Sequence, residues 1–303
     1  MTRWGPERAA ARVEIGAASQ VGDAHIANED QFLVGFLRPA LDIAETSVSG
    51  LARDRSDDRQ AIVIAVADGV GSDGFGAIAS REAIRCLAAS LRQHQPAALP
   101  RGRAIVRAPS ARGGSSLADV RTALLGAFAL GNDRIQALAR REGRPSCMAS
   151  TLTVAYLRYP HLHVAHVGDS RCHLLRRGHL HVLTRDHTVA EQLREEEIEV
   201  DEGSLFEHML THALGGGLAV HRPEMGRFSL EPGDILLLCS DGVSDILEDE
   251  EMIDVLSQMA SAEECARELV ARAAEWDGRD DMTAVVARVH GAAVAENLIA
   301  RRA

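Results

Sequence analysis

The chain has 303 residues, 46% of them hydrophobic, and a formal net charge of −11. A chain of this length buries a core without disulfides, and its composition excludes a disordered or collagen-like protein. No apolar run reaches the ~18 residues of a membrane-spanning helix, and the acidic excess disfavours nucleic acid and anionic membranes as general partners. The five cysteines never occur as C-x-x-C and no apolar leader segment is visible, so we expect a cytoplasmic protein with reduced thiols.

The first half of the chain is predicted to contain two strands followed by two helices. The strands lie at residues 32–37 and 62–67, and the polar residues 45–60 between them are predicted to form a loop. Ser116 and Asp119 have the spacing of a capping box at the start of the second helix. The helices are recognised by apolar residues at helical spacing: Ile84, Leu87, Ala88 and Leu91 in the first, and Val120, Leu124, Ala127 and Phe128 in the second.

The second half is predicted to contain six strands and three helices. Gly178 favours a hairpin turn over 176–179, the glycines of 214–217 favour a flexible loop, and Ser261 with Glu264 fits a second capping box. Because strands cluster and helices come in pairs, we predict one α+β domain in which helix pairs cover antiparallel sheets. The predicted strands are 152–157, 162–167, 172–175, 180–183, 235–239 and 283–289, and the predicted helices are 187–197, 248–259 and 261–276.

Acidic residues stand at the boundaries of these predicted strands, where scaffolds commonly hold functional groups. Carboxylates that converge on one place repel one another unless cations neutralise them, and all-oxygen ligation selects Mg²⁺, Mn²⁺ or Ca²⁺. An isolated Asp-Gly pair is also an ordinary turn signal, so spacing alone leaves a metal site and simple turns both open. The residues concerned are Glu29, Asp30, Asp68, Asp169, Asp241, Asp245, Asp280 and Asp281.

Other motifs carry weaker signals. The alternating histidines 161/163 and 179/181 suit a solvated strand face better than a zinc site, since no H-E-x-x-H pattern occurs. Residues 214–217 lack the Lys-Ser/Thr ending of a phosphate-binding P-loop. The G-x-G within 69–76 lacks the strand-helix-strand context of a dinucleotide site.

Read in order, five blocks resemble the metal-dependent protein phosphatase family of the 2C type, which hydrolyses phosphoserine and phosphothreonine. The resemblance runs from about residue 15 to residue 289, with a shorter match at 148–157. The blocks are VGDAHIANED (21–30), AVADGVGSDGFGAIAS (65–80), HVGDSRCHLLRRGHLHVLTRDHT (166–188), LEPGDILLLCSDGVSDIL (230–247) and GRDDMTAVV (278–286).

The resemblance implies a four-layer α-β-β-α sandwich with two central antiparallel sheets and a flap segment at 187–214. It implies one phosphatase domain over 10–291, with terminal extensions at 1–9 and 292–303. Residues 93–114, which contain several Pro and Arg and show no clear period, are predicted to form a surface insertion. It also implies a site that holds two Mn²⁺ or Mg²⁺ ions, and a third ion in many bacterial relatives. By motif position the metal-site residues would be Asp68, Gly69, Asp241, Asp280 and Glu29, with Asp169 and Asp245 at the third ion, and the catalytic residues would be Asp30 and His25.

The implied reaction is hydrolysis of phosphoserine or phosphothreonine in proteins by a metal-bridged water. Paired ions can generate such a nucleophile near neutral pH and neutralise charge on the phosphoryl oxygens. We therefore expect a short bacterial enzyme that opposes a Ser/Thr kinase, is monomeric, and acts on the kinase or its targets without inserting into a membrane.

Three positions depart from the family pattern. His25 stands where relatives commonly place a phosphate-clamping Arg, and imidazole cannot copy the bidentate guanidinium. Arg12 or Arg194 could compensate, and the sequence does not choose between them. Val70 stands where some eukaryotic members carry His, and Asp281 replaces the more usual Asn.

Two other functions compete with the phosphatase interpretation. A pseudophosphatase that binds a phosphoprotein without turnover is favoured slightly by His25 and opposed by the intact set of Asp68, Asp241 and Asp280. A two-metal nuclease is disfavoured because the net charge is acidic and a basic groove is expected for nucleic acid.

Overall fold

The computed structural model describes residues 12–37, 41–47, 61–93, 117–144, 146–201, 203–217 and 223–291. The predicted insertion at 93–114 lies outside these residues apart from Gln93, and so do the terminal extensions, Ser116 of the first predicted cap and residues 48–60 of the predicted loop. Among the helices described, none is both long enough and apolar enough to cross a membrane.

Most of the described chain lies in fourteen strands and six helices. The strands are Arg12–Gln20 (β1), Gln31–Leu37 (β2), Leu41–Thr46 (β3), Ala61–Ala67 (β4), Gly69–Gly71 (β5), Met148–Ser150 (β6), Leu152–Arg158 (β7), His161–Val167 (β8), Arg171–Arg176 (β9), His179–Val182 (β10), Leu214–Gly215 (β11), Glu224–Ser229 (β12), Ile235–Cys239 (β13) and Met282–His290 (β14). The helices are Phe75–Gln93 (α1), Leu117–Arg141 (α2), Val189–Glu195 (α3), Asp241–Ser244 (α4), Asp249–Gln258 (α5) and Ala262–Asp277 (α6). A single 3-10 turn occupies Leu205–Glu207.

The strands form two large antiparallel sheets and one small one. The A sheet has the order β1-β14-β13-β9-β10, the B sheet has the order β12-β8-β7-β4-β2-β3, and the small sheet has the order β11-β6-β5. The first and last strands pair along nine residues, from Arg12 opposite His290 to Gln20 opposite Met282. This pairing brings residues just after β1 next to residues just before β14.

Three apolar cores separate four layers. Because successive side chains of a strand point to opposite faces, Leu33 of β2 packs under α1 and α2, whereas Phe32 and Val34 face the A sheet. The other face of the A sheet packs against α5 and α6, with Leu237 and Val286 in that core. The order is therefore helices, B sheet, A sheet, helices, which confirms the predicted α-β-β-α sandwich.

The structure also corrects several sequence-based expectations. Strand β1 was missed because its Gly, Ala and Ser residues give weak strand signals, although it pairs with β14 along its whole length. Residues 45 and 46 belong to β3 rather than to the predicted loop, and the predicted glycine loop begins as β11, paired with β6. The hairpin turn is confirmed, with positive φ at Arg177 (53°) and Gly178 (81°), as its type requires.

The second predicted capping box is only half formed. Ser261 accepts a hydrogen bond from the backbone N–H of Glu264 at 3.1 Å, as predicted. The Glu264 carboxylate accepts from the N–H of Ala260 instead of returning to Ser261. The start of α6 is therefore capped by the serine alone.

Candidate metal centre and substrate pocket

The ends of several strands bring acidic side chains to one place. Asp68 directly follows β4. One residue separates Asp169 from the end of β8, and one residue separates Asp241, at the start of α4, from the end of β13. One carboxylate oxygen from each of the three lies within 4.8 Å of the others. Three of the acidic residues noted at strand boundaries therefore lie together.

Hydroxyl groups fix the backbone around Asp68. The N–H of Asp68 donates to Thr151 Oγ1 at 2.9 Å, and the carbonyl of Asp68 accepts from the N–H of Thr151 at 2.9 Å. Thr151 Oγ1 is also 2.7 Å from Ser170 Oγ, next to Asp169. The two acidic residues are thus joined through a pair of buried hydroxyl side chains.

Burial and neighbouring carboxylates disfavour the ionised form of all three acids. Burial, followed by the charge of Asp241, raises the pKa of Asp68 well above its usual value. Burial, followed by the charges of Asp280 and Asp245, raises the pKa of Asp241 to about 6. Burial, followed by the charge of Asp241, likewise raises the pKa of Asp169. A positive ion between them would remove this repulsion.

Asp30 adds a fourth carboxylate on the inner side of the site. It is 1% exposed, and its Oδ2 accepts from Ser240 Oγ at 2.6 Å. Burial raises the pKa of Asp30 well above its usual value, against the lowering effect of hydrogen bonds from Ser240 and Thr283. Its Oδ1, like Oδ1 of Asp169, is buried without a hydrogen-bond partner.

The donor set fits a hard divalent cation. It consists of carboxylate oxygens, it is crowded with negative charge, and it includes two buried oxygens without partners, which native proteins rarely leave unsatisfied. A transition metal that prefers thiolates has no ligand here among the described side chains, since the described cysteines lie in none of the possible metal-binding groups.

Glycines let the backbone approach this centre. A Cβ at Gly69 would collide with the backbone of Gly76, and a Cβ at Gly76 would collide with the Glu29 carboxylate and the Gly69 carbonyl. The predicted ligand Gly69 therefore lies beside Glu29, at the beginning of α1. Burial raises the pKa of Glu29, although the charge of His25 lowers it.

Asp281 connects three segments of the site. It is 2% exposed, and it accepts from the N–H of Gly22 at 2.8 Å and from the N–H of Glu29 at 2.6 Å, one at each carboxylate oxygen. His25 Nδ1 lies 3.0 Å from Asp281 Oδ2. Burial lowers the pKa of His25, but the hydrogen bond and charge of Asp281 outweigh it and raise the pKa overall. An Asn here would present its NH₂ to one of the two backbone donors, which explains the Asp at this position.

A second acidic group lies beside the first and contains an arginine. Arg171 donates from Nη2 to Asp186 at 2.6 Å, contacts Asp245 Oδ1 at 2.8 Å, and donates from Nη1 to the Ser244 carbonyl at 3.0 Å. His208, between the 3-10 turn and β11, has Nδ1 at 3.8 Å from Asp245 Oδ2. His208, Asp245 and Asp241 also offer ligand atoms within 4.8 Å of one another.

A pocket of about 350 Å³ opens over these groups. Its described lining includes Asp241 and Asp280 on one side, His25 and Arg279 near the end of α6, and His208 from the predicted flap. A cavity of this volume has room for a phosphate group.

The structure therefore collects most of the predicted site residues. Asp68, Asp169 and Asp241 are in mutual reach, Asp30, Asp245 and Asp280 are close enough to affect their pKa values, and Glu29 and His25 are attached through Asp281. Thr151, Ser240, Arg171 and His208 were missed. The first three stand inside or next to the sequence blocks, whereas only position within the predicted flap could have indicated His208.

The two arginines considered as substitutes for the missing clamp lie elsewhere. Arg12 pairs with His290 at the far end of β1 from Gln20. Nine residues of strand separate it from the site by roughly 30 Å. Arg194 on α3 contacts Glu207 at 2.8 Å and Glu191 at 3.7 Å. Arg12 is therefore wrong as a compensating residue, and Arg194 is already held within its own segment.

Comparison with known proteins gives consistent results. The family profile of protein phosphatase 2C matches residues 52–276. The serine/threonine protein phosphatase PstP of Mycobacterium tuberculosis is 32% identical over 256 residues, covering 81% of this chain and 44% of PstP. The serine/threonine phosphatase stp of Listeria welshimeri is 31% identical over 233 residues, covering 76% of this chain and 84% of that protein. The chain thus spans less than half of the mycobacterial relative and most of the listerial one.

A solved structure extends the likeness to three dimensions. The catalytic domain of PstP in complex with 2 manganese ions matches with a TM-score of 0.68 at 28% identity, covering 93% of this chain and 100% of that one. The profile match and the Listeria relative together establish that the chain belongs to the protein phosphatase 2C family. This confirms the resemblance drawn from the five sequence blocks.

Proposed function

We propose that the protein hydrolyses phosphoserine and phosphothreonine in proteins with the help of two bound Mn²⁺ or Mg²⁺ ions. The observation that carries the proposal is the convergence of carboxylate oxygens of Asp68, Asp169 and Asp241 within 4.8 Å, beside a pocket that Asp241 and Asp280 line. Its relatives are named serine/threonine phosphatases, and the PstP structure contains manganese.

In this proposal the ligands of the two ions are Asp68, the Gly69 carbonyl, Asp241 and Asp280, and Asp169 and Asp245 serve a third ion. When bound, such ions supply a nucleophilic water near neutral pH and neutralise charge on the phosphoryl group. Asp30, buried and held by Ser240, would orient water through its free Oδ1. Asp281 holds the backbone of Glu29 and the side chain of His25, and His25 lines the pocket.

The substrate class follows from the family, and the cellular setting is a further part of the proposal. We expect a monomer that acts on phosphoproteins and opposes a Ser/Thr kinase. All five cysteines are free thiols, which suits a reducing cytoplasmic location. Residues 10–291 would form one phosphatase domain, with 187–214 as its flap.

The test is hydrolysis of a phosphothreonine peptide by the purified chain with Mn²⁺, Mg²⁺ or EDTA. We expect turnover with Mn²⁺ or Mg²⁺, none with EDTA, and a loss of roughly 1,000-fold in Asp68→Asn. Asp254→Asn is the matched control, because Asp254 is an exposed residue of α5 and should keep full activity.

The competing function is a pseudophosphatase that binds a phosphoprotein without hydrolysing it. The observation that favours it is His25, which is held by Asp281 and lacks the bidentate geometry of a guanidinium. Absence of turnover in every metal, with Mn²⁺ binding retained in calorimetry, would select this alternative.

A further inference from the structure

The pocket beside Asp241 and Asp280 contains a guanidinium that the expected site did not include. Among the described residues that line this pocket, Arg279 alone carries one, directly before Asp280 in the chain. A phosphate monoester carries about two negative charges near neutral pH, and it is bound best by fork-shaped guanidinium donors. Arg279 therefore stands where the ligand chemistry requires such a donor.

The backbone of Arg279 is fixed beside the entrance. Its carbonyl accepts from the N–H of Ala24 at 3.0 Å, and the carbonyl of Gly278 accepts from the N–H of Asp23 at 2.7 Å. A Cβ at Gly22 would collide with the carbonyls of Arg279 and Asp280. The segment before β14 and the segment after β1 thus form one tightly packed unit, which places Arg279 next to His25.

The side chain of Arg279 is paired with a single carboxylate, that of Asp277, which a phosphate group can replace. Its Nε and Nη2 each lie 2.6 Å from one oxygen of Asp277, a parallel two-bond pair. The side chain of Arg279 is 80% exposed, and ion pairs so exposed to water contribute little free energy. Phosphate oxygens offer the same two-bond geometry as the Asp277 carboxylate.

The neighbouring cationic side chains, Arg171 and His25, are held by more buried hydrogen bonds and ion pairs. Arg171 is bonded to two carboxylates and a carbonyl, and the side chain is only 25% exposed. His25 is bonded to the buried Asp281. Among the described guanidinium groups at or near the pocket, Arg279 is therefore the one that can turn toward a ligand.

We propose that Arg279 binds the phosphate group of the substrate and so takes over the role of the phosphate-binding arginine that is replaced by His25. When the pocket is empty, Asp277 holds the Arg279 guanidinium. The proposal rests on the proposed phosphatase function for the identity of the ligand. It makes Arg279 a substrate-binding residue, and it makes His25 a residue that positions the segment after β1, residues 21–30, through its contact with Asp281.

The experiment measures the binding of inorganic phosphate to Mn²⁺-loaded protein by calorimetry, and KM and kcat for p-nitrophenyl phosphate. Arg279→Ala should raise both the phosphate Kd and KM roughly tenfold to a hundredfold, the loss expected for a charge-assisted pair of hydrogen bonds. The kcat should change much less than KM. Arg279→Lys should recover part of the affinity but not the bidentate geometry, and Asp277→Asn should lower the phosphate Kd by releasing the guanidinium.

Arg267→Ala is the matched control, since Arg267 is an exposed arginine paired with one carboxylate, Glu263, about 15 Å along α6 from Asp277. An Arg279→Ala protein whose phosphate Kd and KM stay within twofold of the Arg267→Ala values would overturn the proposal. If the wild-type chain has no turnover at all, the proposed function fails, but the phosphate Kd of the two variants still decides the role of Arg279.

Discussion

Two acidic groups lie side by side in this protein and are neutralised in opposite ways. Asp186 and Asp245 contact Arg171 at 2.6 Å and 2.8 Å, so the chain supplies their counter-charge. Oxygens of Asp68, Asp169 and Asp241 lie within 4.8 Å of one another, yet within the described residues no arginine or histidine forms an ion pair with them. The first group ties the segment that precedes α3 to α4, and the second has room for cations from solution.

The difference separates acidic residues that have a counter-charge within the chain from those that have none among the described residues. Buried carboxylates without a counter-ion destabilise the folded state, and they persist where a ligand cation relieves them. Asp281 is a third case, because two backbone N–H groups and His25 satisfy its oxygens. The same substitution should therefore have opposite effects on stability in the partnered and unpartnered acids.

The largest expected effect comes from breaking the unpartnered group. Asp68→Asn should lower kcat for a phosphopeptide roughly 1,000-fold, equivalent to about 4 kcal/mol of activation free energy, because it removes the charge that two ions would share. Steady-state kinetics at saturating Mn²⁺ would measure it, with Asp254→Asn as reference. Activity within tenfold of wild type would show that Asp68 is not a ligand.

The next largest effect comes from removing the internal cation of the partnered group. Arg171→Met should lower the free energy of unfolding by about 3 kcal/mol, since it leaves Asp186 and Asp245 close together without a counter-charge. Urea unfolding in EDTA would measure the loss. Arg267→Met, which breaks an exposed pair, should change stability by less than about 1 kcal/mol. Equal losses in the two variants would mean that Arg171 has no special role.

A smaller effect is expected where buried titratable groups are kept neutral. Burial, together with the charge of the stacked His187, lowers the pKa of His166 to about 3. An unfolded histidine takes up a proton near pH 6.5, so the stability contributed by neutral His166 is lost as pH falls below that value. The loss should be about 2 kcal/mol at pH 5.

Urea unfolding at several pH values and saturating Mn²⁺ would show this slope. His166→Gln should be less stable at pH 7.5 but should lose less stability on acidification. His179→Gln, at an exposed histidine, should retain the wild-type slope. Identical slopes in His166→Gln and wild type would contradict the assignment.

The smallest effect is expected at Asp281. Asp281→Asn should cost about 1.5 kcal/mol of unfolding free energy, because the amide NH₂ meets a buried backbone N–H. It should also lower the pKa of His25, which the hydrogen bond and charge of Asp281 raise. Urea unfolding and histidine NMR titration would measure both. An unchanged His25 pKa would break the link between these residues.

The sequence predicted the buried elements and the acidic residues at strand boundaries because both depend on local patterns, whereas the four layers were implied by the family resemblance. The apolar runs of β4 and β13 and the helical spacing of Ile84, Leu87 and Leu91 identify buried elements, and these residues are buried as predicted. Motif blocks indicated which acids would meet. Strand β1 was missed because its pairing with β14 joins residues more than 250 positions apart, and its own Gly, Ala and Ser residues carry little signal.

The parts of the site that the sequence did not predict are partnerships between distant residues. His25 and Asp281 each depart from the family pattern, and the structure shows that the two side chains contact each other. Arg279 lies close to residues 21–30 because the N–H groups of Asp23 and Ala24 donate hydrogen bonds to the carbonyls of Gly278 and Arg279. No pattern in a single sequence predicts these bonds. The sequence shows which residue types are present, but only the fold shows which distant residues are in contact.

The measurement that tests the central claim most directly is the urea unfolding free energy of wild type and Asp68→Asn, each in EDTA and in Mn²⁺. We predict that Asp68→Asn is more stable than wild type in EDTA, because one of three repelling carboxylates is gone, and that Mn²⁺ stabilises wild type far more than the variant. A variant less stable than wild type in EDTA, or a wild type that Mn²⁺ leaves unchanged, would contradict the account of an acidic centre whose cations come from solution.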